Sequence, residues 1–199
     1  MAATPTITCL PNGPYLYSED KKALCRCGGS ASKPYCDGTH RSNGFSDRNL
    51  ADPANNRRTS YAGKRITILD NRALCAHVGY CTDGLAKVFR HRDKPWIEPD
   101  GATAEEIIAT IRKCPSGALS YAIDGVEAPA QPRAPEVTPL ADGPYAVTGG
   151  VERVGGKLGE GASREHYTLC RCGASRNKPF CDGSHWEANF RDASSRDPA

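Results

Sequence analysis

The residues of this sequence that could do chemistry are concentrated in two copies of one short motif. Both copies follow the pattern Cys-x-Cys-x8-Cys-x3-His, and 11 of the 16 positions from the first Cys to the His are identical. Three thiols and one imidazole make a full four-ligand set for a metal centre. The repeat therefore predicts one kind of metal site, built twice. Its candidate ligands are Cys25, Cys27, Cys36 and His40 in the first copy, and Cys170, Cys172, Cys181 and His185 in the second.

Two kinds of metal centre fit this donor set. Zinc accepts three Cys and one His, but its ligands usually come as C-x2-4-C pairs, and Cys-x-Cys is shorter than that. A cluster of two irons can take two Cys on one iron and a Cys plus a His on the other, and an imidazole in place of a thiolate raises the potential. The residues by themselves leave both centres open.

The motif resembles the signature of the CDGSH iron–sulfur family, also called NEET or mitoNEET-like. The second copy contains Cys-Asp-Gly-Ser-His at residues 181–185, and the first copy has Thr39 in place of the Ser. The resemblance implies one [2Fe–2S] cluster in each copy, held by its three Cys and one His. It also implies intertwined lobes. Because both lobes lie on one chain, we expect a pseudo-two-fold pair and a monomer that contains an internal dimer.

A different cluster motif lies between the two copies. Cys75, Cys81 and the run Cys114-Pro-Ser-Gly-Ala-Leu resemble a divergent single-cluster bacterial ferredoxin. The usual pattern is C-x2-C-x2-C with a distant Cys-Pro, and Val78 here replaces the second cysteine. Three thiolates are enough for a [3Fe–4S] cluster, which we predict. His77, beside the gap, would instead complete a [4Fe–4S] cluster, and a purely packing role for the three Cys is disfavoured by the Cys114-Pro run.

The whole sequence predicts an α+β fold in four segments. Residues 1–52 and 140–199 are the two CDGSH lobes, each with short strands, a cluster loop and a short helix. An inserted ferredoxin-like βαβ unit covers residues 61–126, and a Pro-rich linker covers 127–139. The Gly-rich segment 149–161, which the first lobe lacks, is expected to be a flexible hairpin.

Local patterns predict several elements within these segments. Residues 6–17 read as two short strands around a Pro-Asn-Gly-Pro turn. Alternating apolar residues over 65–70 predict a strand, as do residues 118–123. Thr103 followed three residues later by Glu106 predicts the capped start of a helix.

Charged and hydroxyl residues surround the cluster ligands. The cations could stabilise reduced clusters or could be solvated surface charges, and the hydroxyls could bind cluster sulfur or cap turns. The cations are Arg26, Lys33, Arg171 and Lys178, and the hydroxyl residues are Ser30, Thr39, Ser175 and Ser184.

Composition excludes several classes of protein. The formal net charge is +3, and no long run of Lys and Arg indicates nucleic-acid binding. Residues 1–10 do not resemble a signal peptide, and no stretch approaches the ~20 apolar residues of a membrane span. Ten cysteines in a reducing compartment indicate metal ligands, so we expect a cytoplasmic protein. No catalytic motif is present, and we expect no enzymatic activity.

These features predict electron transfer with a redox protein partner. One alternative is an iron–sulfur donor to an apo acceptor protein, or a redox and pH sensor, in which the His ligand is the labile point because protons compete with the metal for it. Another alternative is a zinc-binding interaction module. Replacing His40 or His185 by Cys is expected to lower the potential and remove acid lability.

Overall fold

The computed structural model describes residues 4–155 and 159–192. The remaining residues of the two predicted lobes, 1–3, 156–158 and 193–199, lie outside this description. The described strands are β1 Thr6–Cys9, β2 Tyr15–Tyr17, β3 Thr59–Ala62, β4 Thr67–Asp70, β5 Leu119–Ile123, β6 Val126–Glu127, β7 Glu136–Pro139, β8 Tyr145–Thr148, β9 Glu152–Val154 and β10 Tyr167–Leu169. The α-helices are α1 Tyr80–Gly84 and α2 Ala104–Ile111, and 3-10 turns cover Thr39–Arg41, Pro53–Asn55 and Arg72–Leu74.

The strands form three small sheets. The first has the order β2-β1-β9, the second β10-β8-β7 and the third β3-β4-β5-β6. Every pair is antiparallel except β1 with β9, where Thr6 is opposite Glu152 and Thr8 is opposite Val154 in parallel register. The described chain is thus rich in sheet with short helices, and the prediction of an α+β fold is confirmed at this level. The strands predicted within 6–17 and 65–70 are β1, β2 and β4.

Strand β9 comes from the Gly-rich segment, and it contradicts one sequence interpretation. Residues 152–154 were expected in a flexible hairpin, but they pair with β1 of the first lobe. The neighbouring Val151 is buried in the core. The strand is stabilised by a distant edge that donates and accepts its backbone hydrogen bonds, so no local pattern could reveal it. The second lobe therefore supplies a strand to the first lobe's sheet.

The two lobes share one hydrophobic core. Tyr15 and Tyr145 lie at its centre, fully buried, with their rings edge to face and their centroids 6.0 Å apart. Aromatic pairs in this arrangement contribute beyond the area they bury. The buried members of the core are Ile7, Tyr15, Leu24, Tyr145, Val147, Val151, Tyr167, Leu169 and Phe180.

The middle segment has a core of its own, built from β3–β6, α1 and α2. Its helix α2 begins as predicted: Thr103 N–H donates to Glu106 Oε2 at 2.9 Å, and Glu106 N–H donates to Thr103 Oγ1 at 3.3 Å. Ile107 and Ile111 of this helix are buried. Strands β4 and β5 are antiparallel neighbours. The segment therefore lacks the parallel crossover that the expected βαβ unit would contain.

Two boundaries of the predicted segments have further structure. The last four residues of the predicted linker form β7, which pairs with β8 in the second lobe's sheet. The expected short helix after each cluster loop is a 3-10 turn in the first lobe, at Thr39–Arg41, and a series of turns in the second. Among the described helices, none has the length and apolar content needed to cross a membrane.

Candidate metal centres

An acidic side chain folds each CDGSH loop. The Asp37 carboxylate accepts hydrogen bonds from the Thr39 hydroxyl at 2.6 Å, the Thr39 N–H at 3.0 Å and the Ala31 N–H at 2.8 Å. The Thr39 donors, with Ala31, hold the pKa of Asp37 well below its usual range. This side chain thus ties the two ends of the loop together. The second loop repeats all three bonds with Asp182, Ser184 and Arg176.

The hydroxyl and lysine side chains stabilise the loop backbone. The Ser30 hydroxyl donates to Tyr35 O at 2.6 Å, and Lys33 Nζ donates to Ser30 O at 2.7 Å. The hydroxyls therefore cap turns, as one of the two sequence interpretations proposed. The second loop has the same bonds, from Ser175 to Phe180 and from Lys178 to Ser175.

The arginine between the first two cysteines of each loop is buried. Arg26 stacks on the Tyr15 ring, 5.1 Å from its centroid, and donates to Leu10 O at 3.2 Å. Arg171 stacks on Tyr145 at 5.3 Å. The interpretation of these arginines as solvated surface charges is therefore wrong. They position the loop against the shared core through cation–π contacts.

The donors of each loop are arranged two by two. Two thiolates bound to one tetrahedral metal lie about 3.8 Å apart, and a thiolate and an imidazole lie about 3.5 Å apart. The described residues contain no group of three or more His, Cys, Asp or Glu placed around a single ion. Each pair is therefore spaced as two ligands of one metal ion would be. The paired distances are Cys25 Sγ–Cys27 Sγ 3.9 Å, Cys36 Sγ–His40 Nδ1 3.4 Å, Cys170 Sγ–Cys172 Sγ 3.8 Å and Cys181 Sγ–His185 Nδ1 3.5 Å.

Burial sets the protonation of the second site. The pKa of Cys170 is raised well above its usual value because the thiol donates to Cys172 and is fully buried. Accepting that bond lowers the pKa of Cys172. Burial raises the pKa of Cys181, and burial lowers that of His185, which favours its neutral imidazole. Metal binding at this site must therefore displace thiol protons, while the His is already in its ligating form.

The two CDGSH sites differ in exposure. Cys36 and His40 are partly exposed and border a surface groove of about 1030 Å³. Cys181 and His185 keep only 2% and 4% of their surface exposed. The first site is open to solvent, and the second is enclosed.

The middle segment encloses the second site. Its Ala76 carbonyl lies 4.0 Å from Cys181 Sγ, and the Trp186 indole N–H donates to His77 O at 2.9 Å. A Cβ built on Gly183 would lie 2.7 Å from the His77 ring, so the loop and the ring are in direct contact. The segment that carries Cys75 thus packs on the second CDGSH loop.

The structure brings the three middle cysteines near one another. Cys75 follows the Arg72–Leu74 turn, Cys81 lies in α1 and Cys114 follows α2. Burial, with the neighbouring Cys114 and Cys75 thiols, raises the pKa of Cys81 to about 11. The His77 N–H donates to Cys75 Sγ at 3.4 Å. The effect of the Cys75 and Cys114 thiols on the pKa of Cys81 places the three cysteines in one region of the middle segment, and three thiols are a suitable number of donors for a cluster.

The His77 side chain points to the second lobe. The residue has a positive φ of 55°, and its Nδ1 lies 3.5 Å from Arg72 Nη2. Its ring lies against Gly183. The structure therefore places this imidazole beside the second CDGSH loop.

The first cysteine loops of the two lobes pass each other closely. Cys27 and Cys172 form an isolated antiparallel bridge. A Cβ on Gly28 would lie 2.4 Å from Cys172 O, and a Cβ on Gly173 would lie 2.5 Å from Cys27 O. Both glycines also have positive φ, 75° and 79°. Only glycine allows this approach, which brings the two CDGSH sites together.

Two tyrosines make matching bonds between the lobes. The Tyr15 hydroxyl of the first lobe lies 2.9 Å from Cys170 O in the second. The Tyr145 hydroxyl of the second lobe lies 2.9 Å from Cys25 O in the first. Each buried hydroxyl thus fixes the backbone of the other lobe's first ligand.

Several of these positioning residues escaped the sequence interpretation. The tyrosines had a signal, because Asn12-Gly-Pro-Tyr15 precedes the first cysteine loop and Asp142-Gly-Pro-Tyr145 precedes the second, where the Gly-rich segment 149–161 lies between the tyrosine and the loop. Trp186 also had a sequence signal, because the residue directly after the ligand His differs between the two copies: it is Trp186 in the second and Arg41 in the first. The Ala76 carbonyl had none, because a backbone contact between distant segments leaves no pattern in the sequence.

Two family descriptions match the chain. "Iron-binding zinc finger CDGSH type" matches residues 8–41 and 142–186, and "Divergent 4Fe-4S mono-cluster" matches residues 61–124. The Uncharacterized protein YjdI of Escherichia coli strain K12 is 43% identical over 61 residues, which are 31% of this chain and 80% of that protein. YjdI of Escherichia coli O157:H7 matches to the same extent. No solved structure matches significantly.

The donor pairs and these matches define an iron–sulfur protein with three candidate sites. The match to each CDGSH loop includes its cysteines and its histidine, and the match to the middle segment includes Cys75, Cys81 and Cys114. The chain belongs to the CDGSH iron-binding family, in the tandem-repeat type that carries a ferredoxin-like insert.

Proposed function

We propose that the protein is an electron carrier with three iron–sulfur centres. Each CDGSH loop holds one [2Fe–2S] cluster through its three Cys and one His, and the middle segment holds one [3Fe–4S] cluster. The two-by-two spacing of the CDGSH donors supports the first assignment. Electrons leave to a redox protein partner, and the setting is the reducing cytoplasm in which cysteines serve as metal ligands.

The orientation of His77 supports three irons in the middle site. A [4Fe–4S] cluster needs four ligands, and Val78 stands where the second cysteine of the pattern would be. The His77 ring lies against Gly183 and Arg72. It is therefore directed to the second CDGSH loop and not to the three cysteines of the middle site. The matching description, a divergent 4Fe–4S mono-cluster, keeps the four-iron cluster as the alternative, with a ligand from outside the chain.

One observation carries the electron-transfer proposal: the Cys75-Ala76-His77 stretch touches Cys181. The Ala76 carbonyl is 4.0 Å from the Cys181 sulfur, one residue from a ligand of the middle site. The bridge between Cys27 and Cys172 continues this contact to the first site. These contacts support a linear order of centres, from the middle site to the second CDGSH site and then to the exposed first site.

The same contacts support a pseudo-two-fold arrangement of the lobes. The tyrosine bonds are reciprocal, and so are the close approaches of Gly28 and Gly173. Isologous interfaces have this property, since each contact occurs twice with the roles exchanged. We propose that the chain is a monomer with this internal dimer, and that β9 fastens the two halves.

A bound cluster supplies one-electron redox chemistry. The chain's own residues set its surroundings. The N–H groups of Gly29 and Ala174 donate to the sulfurs of Cys27 and Cys172, at 3.5 and 3.4 Å. The His77 N–H does the same for Cys75. Donors to sulfur stabilise added negative charge, so these amides favour the reduced forms.

The first test is metal content after purification without oxygen. Two [2Fe–2S] clusters and one [3Fe–4S] cluster require about seven irons per chain, with a three-iron electron paramagnetic resonance signal in the oxidised protein. About eight irons without that signal would replace the middle assignment by a four-iron cluster. About four irons would remove the middle centre. A colourless protein with zinc, after cluster reconstitution as well, would overturn the electron-transfer proposal.

Cluster delivery is a second candidate, because the first site borders a surface groove. Its Cys36 and His40 are accessible to an acceptor, whereas the second site's equivalents are covered. Incubation with an apo-ferredoxin tests this function. Delivery requires that the acceptor gain two irons and that the His40→Cys variant lose the transfer; a carrier that only passes electrons gives no transfer.

A further inference from the structure

A cavity of about 450 Å³ lies where three segments of the chain meet. One side is the end of α2 and strand β5 of the middle segment. The second side is residues 128–133 of the Pro-rich linker, and the third is residues 161–166 of the second lobe. Volumes of 300–1,000 Å³ are typical of small-molecule sites, which favour such junctions. No CDGSH ligand lines this cavity.

The rim of the cavity is positively charged. Four arginines and a single acid line it: Arg58, Arg112, Arg133, Arg164 and Glu127. The Glu127 carboxylate forms an ion pair with Arg58 and also accepts from Ser120 Oγ at 3.1 Å. The charges of Glu127 and Arg58 cancel. Among the lining residues, no acid is then left to balance the charges of Arg112, Arg133 and Arg164. A bound anion would supply the missing negative charge.

The floor of the cavity is apolar. Ile111 and Leu119 are buried there, and Tyr121 and Pro129 extend the apolar surface. Arg133 crosses the wall, where its Nη2 donates to Arg112 O at 2.6 Å and holds the linker against α2. An occupant therefore meets apolar surface inside and guanidinium groups at the mouth.

The wall on the second lobe contains a buried histidine, His166. The Ser163 hydroxyl oxygen accepts the N–H groups of Glu165 at 3.1 Å and His166 at 3.2 Å, so its own proton is directed to His166 Nδ1 at 3.1 Å. The Cys114 carbonyl accepts from the same ring. The cavity wall thus continues directly to a ligand of the middle site.

We infer that this cavity is a binding site for a small organic anion. The ligand carries a carboxylate or phosphate group on an apolar or aromatic body. The guanidinium forks of the rim match planar or tetrahedral oxyanions, and the apolar floor accepts the body. The site is independent of the clusters' redox role. Its ligand touches the middle segment, the linker and the second lobe at once.

The test uses phenyl phosphate and benzoate as probes, with benzyl alcohol as the uncharged counterpart. Calorimetry on the cluster-loaded protein measures binding at low salt. We expect saturable binding of at least one of the two anions, and at least tenfold weaker binding of benzyl alcohol. Arg112→Glu and Arg164→Glu are expected to weaken anion binding at least tenfold each, since both side chains are exposed and their backbone positions remain intact.

Matched controls are Arg65→Glu and Arg92→Glu, which make the same charge change at exposed positions outside the cavity. These variants should bind the anions within twofold of the unmodified protein. The inference is overturned if neither anion binds saturably, or if benzyl alcohol binds as tightly as the anions. It is also overturned if the control variants weaken binding as much as the cavity variants do, because a general charge effect would then explain the result.

Discussion

The two CDGSH loops are almost the same in sequence and are held in different surroundings. Both have the same Asp-centred turn, the same buried arginine and the same donor spacing. The first loop faces a solvent groove, and the second lies under the middle segment. The comparison teaches that the local sequence determines the ligand set, while long-range packing determines which site solvent and partners can reach.

The largest expected effect concerns what the two loops share. Gly28→Ala and Gly173→Ala each place a Cβ within 2.4–2.5 Å of a backbone oxygen of the other lobe, at positive φ. Strain and overlap together should cost about 3 kcal/mol or more of unfolding free energy. Gly125→Ala is the control, since its φ is 78° and its Cβ meets no atom within 4 Å.

Urea unfolding of the cluster-loaded protein measures these differences. Equal losses for the two glycines, each well above the loss for Gly125→Ala, would support the reciprocal contact between the lobes. If the two variants lose different amounts of unfolding free energy, the contacts of Gly28 and Gly173 with the opposite lobe are not equivalent.

The second prediction concerns a residue that only the second lobe has. Four residues before the first ligand, the second lobe has His166 and the first has Lys21. Burial lowers the pKa of His166 to about 4. Between that value and about 6.5, the unfolded chain binds more protons than the folded chain, so folding stability falls as pH decreases. The loss should reach about 2–3 kcal/mol from pH 7 to pH 4.

The His166→Gln variant isolates this contribution. Its stability should depend less on pH than that of the unmodified protein in the same window, and Lys21→Gln should leave the pH profile unchanged. Parallel pH profiles for His166→Gln and the unmodified protein would contradict the assignment, because the decline would then come from other groups such as the cluster ligands.

The third prediction tests the difference in exposure directly. An iron chelator should remove iron from the two CDGSH sites in two separate phases, with the first site roughly tenfold faster, since enclosing surface limits solvent access to a centre. Absorbance at the cluster bands follows the reaction. The His40→Cys and His185→Cys variants identify the phases, because each should alter one phase only. A single phase would mean that the middle segment does not protect the second site.

The smallest expected effect comes from the indole that closes the second site. Trp186→Phe removes the hydrogen bond to His77 O and should cost about 1 kcal/mol. It should also speed chelator removal of the second site's iron a few-fold. Arg41→Leu changes the equivalent position after the first loop and should leave both phases as they were. If Trp186→Phe changes neither stability nor iron loss, the indole does not hold the middle segment in place.

Some of this architecture could be predicted from the sequence because its causes are local. The spacing of Cys25, Cys27, Cys36 and His40 predicted a loop with four donors, and Thr103 with Glu106 predicted a helix start that the structure contains. Val78, at the position of a cysteine in the usual pattern, predicted that the middle site lacks one ligand. Whether that site holds three irons stays a prediction.

The remainder depended on contacts between distant segments. The Gly-rich run before the second loop indicated flexibility, yet residues 152–154 meet the edge of β1 and become a strand. The sequence around His77 indicated a spare ligand, yet the ring lies on Gly183, more than a hundred residues away. Such contacts are decided by which surfaces meet after folding, and single-sequence patterns carry no record of them.

The strand β9 has a consequence for the order in which the protein is made. Strand β1 is synthesised well before its parallel neighbour Glu152–Val154, since the whole middle segment lies between them in the chain. Until then one edge of β1 has no partner, and exposed edges invite pairing with other chains. The first lobe's sheet is therefore completed only after residues 152–154 are made, although all four ligands of the first site are made before them.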